Sequence, residues 1–527
     1  MNSFLFSIIL LCFFIAYKSK KSIHMLQQNY YNESSRYLFW VVKNVRKNFI
    51  NFDLLLFLCF FTFFLSFNVS LLFESILCLI VLALYYLYNK NEQTKKPLVV
   101  TSRVKRLIFT LILIHGAAIA IIYFNFIPEY LWFYYLTLSI MAYFNPLIII
   151  LANFINKPAE AYVYYYYKSK AMKKMREMNI PVVGITGSYG KTSSKNILWD
   201  ILNVKMNPFK TPSNFNTPYG LIRSINNYLD KFNDIFIAEM GAFKVGEIKK
   251  TCKLMKPKYG ILTTIGEAHL ESFGSRENIQ KGKFELIESL PSDGVAVLNG
   301  DDPYQLSYKL KNNCKVLWIG IDNKDVDLYA SNIKLSHVGT TFDVTFKDKG
   351  TYSFQTKLLG THNIYNILAG IMLGYYLGLS IDDLKRGVSS IEVIEHRLEL
   401  KKMGDINIID DAYNSNPVGS KMAVEVLGLM PGTKIVVTPG MIELGEKQYE
   451  LNYKFGEYIA DSADYVILVG REQTKPIFDG LKNKCYNEKN IYVINNVLDA
   501  FPLMQKLKKG ETYVLLENDL PDLFNER

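Results

Sequence analysis

Hydrophobic and polar positions divide the 527-residue chain near residue 156. Upstream, apolar residues come in five long runs: Phe4 to Tyr17, Leu54 to Phe67, Leu71 to Tyr88, Leu107 to Ile127 and Tyr130 to Ile155. A helix crosses the bilayer core with roughly 20 apolar residues, so the last two runs are long enough, the third is close and the first two are short. The pattern predicts an all-helical transmembrane region over 1–157 with about five spans. Downstream the period changes: short apolar runs of strand length alternate with helical spacing, which predicts α/β architecture. Ile406 to Ile409, Ile435 to Thr438, Tyr465 to Val469, Ile491 to Ile494 and Tyr513 to Leu516 are the strand runs of a Rossmann-like, doubly wound C-terminal domain over 392–527. A P-loop-type central α/β domain occupies 179–391. Inside it the alternation Thr341, Phe342, Asp343, Val344, Thr345, Phe346 marks an antiparallel flap between Val316 and Lys357.

Charge gives the membrane part a direction. The net charge of +11 arises from 60 basic and 49 acidic residues, and much of the excess falls between the apolar runs. Lys18, Lys20, Lys21, Arg36, Lys43, Arg46 and Lys47 fill the first connection, and Lys90, Lys95, Lys96, Arg103, Lys105 and Arg106 the third. The positive-inside rule makes these connections cytoplasmic. The expected location is therefore the cytoplasmic membrane, multi-pass, with everything after Ile155 in the cytoplasm. Lysines on the C-terminal flank of the first run suit an uncleaved anchor. Glu74 and His115 are polar candidates within spans. From Pro158 to Met178, five tyrosines precede Lys168, Lys170, Lys173, Lys174 and Arg176, as in a helix lying at anionic headgroups. The basic excess reads as topology and a bilayer partner, with no nucleic acid implied. Six cysteines without a CxxC pair suggest neither zinc nor a disulfide framework.

The chemistry is concentrated in Val182 to Lys195, VVGITGSYGKTSSK. Ile180 to Ile185 predicts a buried strand, Thr186 to Gly190 a glycine turn, and Ser193 to Val204 a helix. Strand, glycine turn and helix start together form an anion cradle. Gly187 and Gly190 admit phosphate close to the backbone, Lys191 reaches terminal phosphates, and the Thr192 hydroxyl suits Mg²⁺. Ser188 and Ser193 complete the candidate nucleotide-binding set. Ile185 stands where the common G-x-x-x-x-G-K-[ST] form has its first glycine. Glu239 and His269 fall at the carboxyl ends of the strand runs Phe236 to Met240 and Tyr259 to Ile265, where α/β sheets gather ligands, and are candidate metal ligands.

A series of further stretches follows in order: TPSNFNTPYG (211 to 220), IAEMGAFKVGEI (237 to 248), TTIGEAHLESFGS (263 to 275), LNGDDP (298 to 303), LLGTHNIYNILAG (358 to 370), EHRLE (395 to 399), DDAYNSNP (410 to 417) and GMIELGE (440 to 446). With the glycine turn, they resemble the Mur ligase family, the ATP-dependent amide-forming ligases of peptidoglycan precursor synthesis, from about Asn179 to the C-terminus. The resemblance is greatest to the members that add D-alanyl-D-alanine. It implies ATP and Mg²⁺ as cofactors, with UDP-muramoyl tripeptide and D-alanyl-D-alanine as small-molecule substrates. Membrane-bound cell-wall synthesis enzymes are implied as possible partners.

By the same resemblance Lys191 and the turn amides hold the β and γ phosphates, Thr192 and Glu239 one Mg²⁺, and His269 a second. Lys283, in QKGKFE, matches a lysine carried as a carbamate, with Lys281 as an alternative register. Asn363 and Asn366 match a pair near adenine; Arg397 and Asp411 would reach the nucleotide from the C-terminal domain. Asn214 matches a substrate-side position, and Asn414 and Asn416 would shape the amine pocket. The family's lysine-glycine-serine turn after the last strand is replaced by Glu517, Asn518 and Asp519. Membrane runs stand where the family has a uridine-nucleotide-binding domain. That replacement also suits a ligase acting on a lipid-linked or polymeric, polyglutamate-like acceptor; a third reading, a membrane ATPase subunit or transporter in which the cradle drives movement, is opposed by the DDAYNSNP and GMIELGE stretches.

Overall fold

The computed structural model describes residues 2–32, 36–50, 52–65, 71–90, 97–125, 131–336, 339–393, 397–412, 416–442 and 444–518. Asn414 and the Glu74 side chain lie outside the described residues. The chain divides into two units, Met1–Tyr166 and Tyr167–Arg527.

The first unit is helical among its described residues, with helices Asn2–Gln28, Leu38–Lys43, Phe52–Leu65, Leu71–Lys90, Ser102–Asn125, Leu131–Tyr143 and the start of Asn145–Met178. That last helix runs without a break through the position where the sequence suggested a boundary at 157/158. Among the described residues one stretch, Ser102–Ile121, is long and apolar enough by itself to cross a membrane. Leu136–Tyr143 and Asn145–Met178, bent by 83°, pass as one broken span. Phe52–Leu65 has only 14 residues, about 21 Å of helix at 1.5 Å per residue, short of the bilayer core.

The first basic group is placed differently from the sequence expectation. Lys18, Lys20 and Lys21 belong to helix Asn2–Gln28, not to a connection. Lys18 is 3% exposed and ion-paired with Asp53 at 2.8 Å. Its amine also donates to the carbonyls of Asn48 (3.1 Å) and Tyr143 (2.9 Å), and Tyr85 donates to Asp53 (3.2 Å). Burial of a charge demands such partners, and local charge counting cannot foresee them. His115 bonds the Leu111 carbonyl of its own helix at 2.7 Å.

The second unit holds two sheets. The larger comprises β1 (Val182–Thr186), β2 (Pro208–Lys210), β3 (Ile235–Glu239), β4 (Tyr259–Leu262), β5 (Val295–Asn299), β6 (Lys315–Gly320), β7 (Leu328–Ser336), β8 (Gly339–Phe346) and β9 (Gly350–Thr356), in the order β2-β3-β1-β4-β5-β6-β7-β8-β9. β1, β3, β4 and β5 are buried along their whole length, as strands covered on both faces must be. β6 pairs in parallel with β5 and with the first residues of β7, so the antiparallel flap begins at β7, not at Val316. Helices Lys191–Leu202 and Thr361–Tyr376 contribute Ile197, Leu198, Ile201, Ile364, Ile367 and Leu368 to one core with the sheet.

The C-terminal sheet comprises β10 (Glu399–Met403), β11 (Ile406–Asp411), β12 (Thr433–Thr438), β13 (Tyr465–Val469), β14 (Ile491–Ile494) and β15 (Thr512–Glu517), in the order β10-β11-β15-β12-β13-β14. All five strand runs read from the sequence form the parallel part. β10 is an added antiparallel edge strand. Two helices on this sheet, Gln448–Ala460 and Lys475–Asn483, meet at glycines: a Cβ on Gly456 would lie 3.0 Å from the Ile477 Cα, and one on Gly480 within 3.2 Å of the Glu457 amide. Backbone cannot yield as a side chain does. Gly480→Ala should therefore lower the free energy of unfolding by about 1–3 kcal/mol, read as a lower urea midpoint for the C-terminal transition.

Candidate active site

Strand β1 ends in Thr186, and the turn that follows is fastened to the segment after β4. The Ser188 amide donates to the Thr264 carbonyl at 2.7 Å, the Ser188 hydroxyl to Gly266 (3.1 Å), and the Thr263 hydroxyl to the Thr186 (3.2 Å) and Tyr189 (2.5 Å) carbonyls. Gly187 and Gly190 have φ of 152° and 78°. A Cβ on Gly187 would collide with the Thr263 side chain, and one on Gly190 would sit 3.1 Å from Asn366 Oδ1. The turn delivers the N-terminus of helix Lys191–Leu202, whose first amides have no intrahelical acceptor and whose dipole favours an anion. Lys191 Nζ donates to the carbonyls of Gly187 (2.8 Å) and Ser188 (3.0 Å), inside the cradle. Burial pushes this amine down to about 8, with Glu239 opposing and Arg397 adding to the fall. Ser193 is buried in the first helical turn.

Glu239, at the end of β3, is buried and gathers three donors. Thr192 Oγ1 reaches Oε2 at 3.1 Å, Lys195 Nζ reaches the same oxygen at 3.0 Å, and Asn216 Nδ2 reaches Oε1 at 3.2 Å. Burial alone would raise this carboxyl, but Lys195, Lys191 and the hydrogen bonds hold it below the usual range. A hydroxyl and a carboxylate beside a phosphate cradle are hard oxygen donors of the kind Mg²⁺ takes together with nucleotide phosphates, so the residues fit that ion. No group of three or more His, Cys, Asp or Glu side chains forms a metal cluster among the described residues. His269, in left-handed backbone at φ 61°, lies edge-on to Phe243 with ring centroids 4.6 Å apart.

Lys283 lies on helix Arg276–Glu288, 1% exposed, with Ala242 O at 3.4 Å and the Phe273 ring at 5.3 Å. Burial first, and then the Lys191 charge, push its amine well below the ordinary lysine range. Lys281 is exposed on the same helix. Neighbouring Glu285 is engaged elsewhere, accepting from the amides of Gly246 (2.6 Å) and Lys249 (2.9 Å).

Asn366 reaches the turn at Gly190, whereas Asn363 donates to the Leu359 carbonyl at 2.8 Å. Arg397 lies close enough to act electrostatically on Lys191 and His362, whose charged forms it disfavours, and on Asp411, whose carboxylate it favours. Burial and Arg397 push His362 down to about 4. Burial pushes Asp411 up to about 6 against Arg397, and its Oδ1 accepts from the Leu398 amide at 3.2 Å. Glu267, after β4, accepts from Arg276 and from Lys447 of the C-terminal domain, the latter at 3.0 Å. Asn416 caps helix Pro417–Gly428 by accepting from the Gly419 amide at 2.9 Å; Asn214 is exposed in the loop between β2 and helix Pro218–Asn227. Sequence reasoning passed over Lys195 and Asn216. For Lys195 a signal existed: it lies three residues after Thr192 and four after Lys191, on one helix face.

The Mur ligase middle domain matches residues 185–374, and the Mur ligase glutamate ligase domain residues 396–516. The UDP-N-acetylmuramoyl-tripeptide–D-alanyl-D-alanine ligase of Bacillus subtilis is 33% identical over 303 residues, 56% of this chain and 64% of the relative. Its counterpart in Buchnera aphidicola subsp. Acyrthosiphon pisum is 30% identical over 66% of this chain and 77% of the relative. Among solved structures, the MurF ligase from Thermotoga maritima in complex with ADP superposes with a TM-score of 0.60 at 28% identity, covering 67% of this chain and 80% of that one. The chain spans 64% and 65% of the Bacillus subtilis and Escherichia coli relatives, just under two thirds of their length. The glycine turn with Lys191 and Thr192, the Glu239 carboxylate and the two matched domains lead to one conclusion: the chain belongs to the Mur ligase family.

Proposed function

We propose that the protein is an ATP-dependent ligase that joins D-alanyl-D-alanine to a UDP-N-acetylmuramoyl tripeptide in peptidoglycan precursor synthesis. The observation that carries this reading is the convergence of Lys191, Thr192 and Glu239 at one helix N-terminus in a chain of this family. The acceptor carboxylate attacks the γ-phosphorus of ATP, ADP leaves, and an acyl phosphate forms. The dipeptide amine then attacks the acyl carbon, the tetrahedral intermediate collapses with loss of phosphate, and the nitrogen loses its proton. Lys191 and the helix amides stabilise charge on the transferring phosphoryl group. Mg²⁺, held by Thr192 and Glu239, would neutralise part of the triphosphate charge. A neutral Lys283 amine is nucleophilic toward CO₂; the carbamate so formed, with loss of one proton, would be an anionic ligand with His269 for a second ion. Asn363, Asn366, Arg397 and Asp411 are the proposed nucleotide contacts, and Asn214, Asn414 and Asn416 the proposed substrate contacts.

Helix Ser102–Ile121 supports membrane attachment, with the bent pair Leu136–Tyr143 and Asn145–Met178 as a candidate second span; the basic connections favour the α/β domains on the cytoplasmic side. The tyrosines and lysines of 162–176 support contact with anionic headgroups. The same helix favours one second reading, an acceptor already linked to lipid.

Phosphate release from ATP by purified protein should require both D-alanyl-D-alanine and UDP-muramoyl tripeptide; release that ignores either one overturns the ligase reading. Lys191→Ala should cut turnover by about 10²–10³-fold while thermal unfolding stays near wild type. Lys191 is charged below about 8 and loses its proton as pH rises through that value. Nucleotide affinity of the free protein should fall above pH 8, whereas Lys191→Arg should bind with little change over the same range. Lys283→Ala should be inactive and partly restored by formate, which replaces the missing anion; an active variant excludes the carbamate. Finally, a chain beginning at Tyr167 should keep ATP binding but show a raised KM for the acceptor, since remote contacts contribute binding energy. Unchanged acceptor kinetics would reduce the helical unit to an anchor.

A further inference from the structure

Lys195 has no part in the reaction as set out above, yet it is among the most buried lysines of the molecule at 1% exposure. Its amine is shared between two elements. It pairs with Glu239 Oε2 at 3.0 Å and donates to the Ser213 carbonyl at 2.5 Å. Ser213 lies in the loop that joins β2 to helix Pro218–Asn227, in left-handed backbone at φ 46°, a conformation that a serine keeps when its surroundings hold it there. Three residues on, Asn216 donates to the other oxygen of the same carboxylate at 3.2 Å. The loop is thus tied to Glu239 twice, once through Lys195 and once through Asn216, with Asn214 exposed between the two ties.

The oxygen that Lys195 holds is also the one that accepts from Thr192. A divalent cation coordinated by Thr192 and Glu239 would approach that oxygen, and two cations on one buried oxygen repel strongly at low dielectric. The ammonium cannot keep its full contact with Oε2 while the ion is there. Its other partner, the Ser213 carbonyl, then has to move with it or be released.

We infer that Lys195 is a positioning residue that neutralises Glu239 before nucleotide arrives and hands it over to the metal, coupling metal loading to the 211–217 loop. This rests on the ligase reading only in taking Glu239 as a ligand of the nucleotide-bound cation. Without Lys195 the buried carboxylate would lose its ion-pair partner in the unliganded protein, keeping only Thr192, Asn216 and the Lys191 charge, and would be a better metal ligand.

The test uses the full-length chain, Lys195→Met, which keeps the length and removes the charge, and Lys195→Arg, which keeps the charge. Binding of a fluorescent ATP analogue is titrated with Mg²⁺, and thermal unfolding is followed with and without Mg²⁺ and nucleotide. In Lys195→Met the Mg²⁺ concentration for half-saturation should fall about tenfold, since a competing cation is gone. Its unfolding temperature should drop without ligand and recover on adding Mg²⁺ and nucleotide; Lys195→Arg should keep the wild-type Mg²⁺ midpoint. A Lys195→Met protein equally destabilised with and without ligand, and with an unmoved Mg²⁺ midpoint, has lost only a structural lysine and overturns the inference. Hydrogen exchange on the wild type tests it without any variant: Mg²⁺ and nucleotide should slow exchange in 186–194 and quicken it in 211–217. Unchanged or slower exchange in 211–217 refutes the coupling, whereas a wild type that binds no nucleotide overturns the ligase reading and this inference together.

Discussion

One buried carboxylate fixes the layout of the central domain. Glu239 ends a strand whose other residues are all buried and apolar, so its charge has to be met by groups brought from elsewhere in the chain. A helix start supplies Thr192, the next turn of that helix supplies Lys195, and a separate loop supplies Asn216. Removing one partner of a buried pair costs about 3–5 kcal/mol, much more than a surface ion pair contributes. The strand, the glycine turn and the 211–217 loop are therefore fixed relative to one another by a single charge.

The turn itself is held from the other side. Bonds from Ser188 and Thr263 fasten it to the segment after β4, which carries Glu267 and His269. Anything that moves that segment moves the cradle. Arg397 adds a second line of communication, since its charge reaches Lys191 and His362 in the central domain and Asp411 in its own. Binding at the cradle and the position of the C-terminal domain are electrostatically one problem.

Much of this was legible in the sequence where the cause is local. The glycine turn reads directly because positive φ, a following helix and a lysine lie within a dozen residues, and buried parallel strands read as unbroken apolar runs. β10 escaped because ELKKM sits at a sheet edge and shows no apolar alternation; β2 escaped because three residues carry no period. Lys195 and Asn216 were missed for a different reason. The spacing of Lys195 from Lys191 and Thr192 places it on their helix face, but that both residues meet Glu239 depends on where β3 lies in the fold, and for Asn216 no spacing encodes it. Lys18 shows the same limit in reverse: its charge suggested solvent, whereas Asp53, thirty-five positions away, makes burial possible. The Glu239 placement at a strand end follows from the general geometry of α/β sheets, whereas β4 ends at Leu262 and His269 lies beyond it, before helix Leu270–Phe273, where it faces Phe243.

The contact of Lys447 with Glu267 has a consequence for how the two lobes part. Glu267 is buried and Lys447 half exposed, and Arg276 from the central domain holds the same carboxylate oxygen. Were the C-terminal domain to move away, Lys447 would pass into water while Arg276 stayed. No naked charge is stranded in the interior, and the interaction given up is one that dissolved salt already weakens. The contact between the two domains is thus one whose strength ionic strength sets, while the carboxylate beneath it keeps a partner of its own.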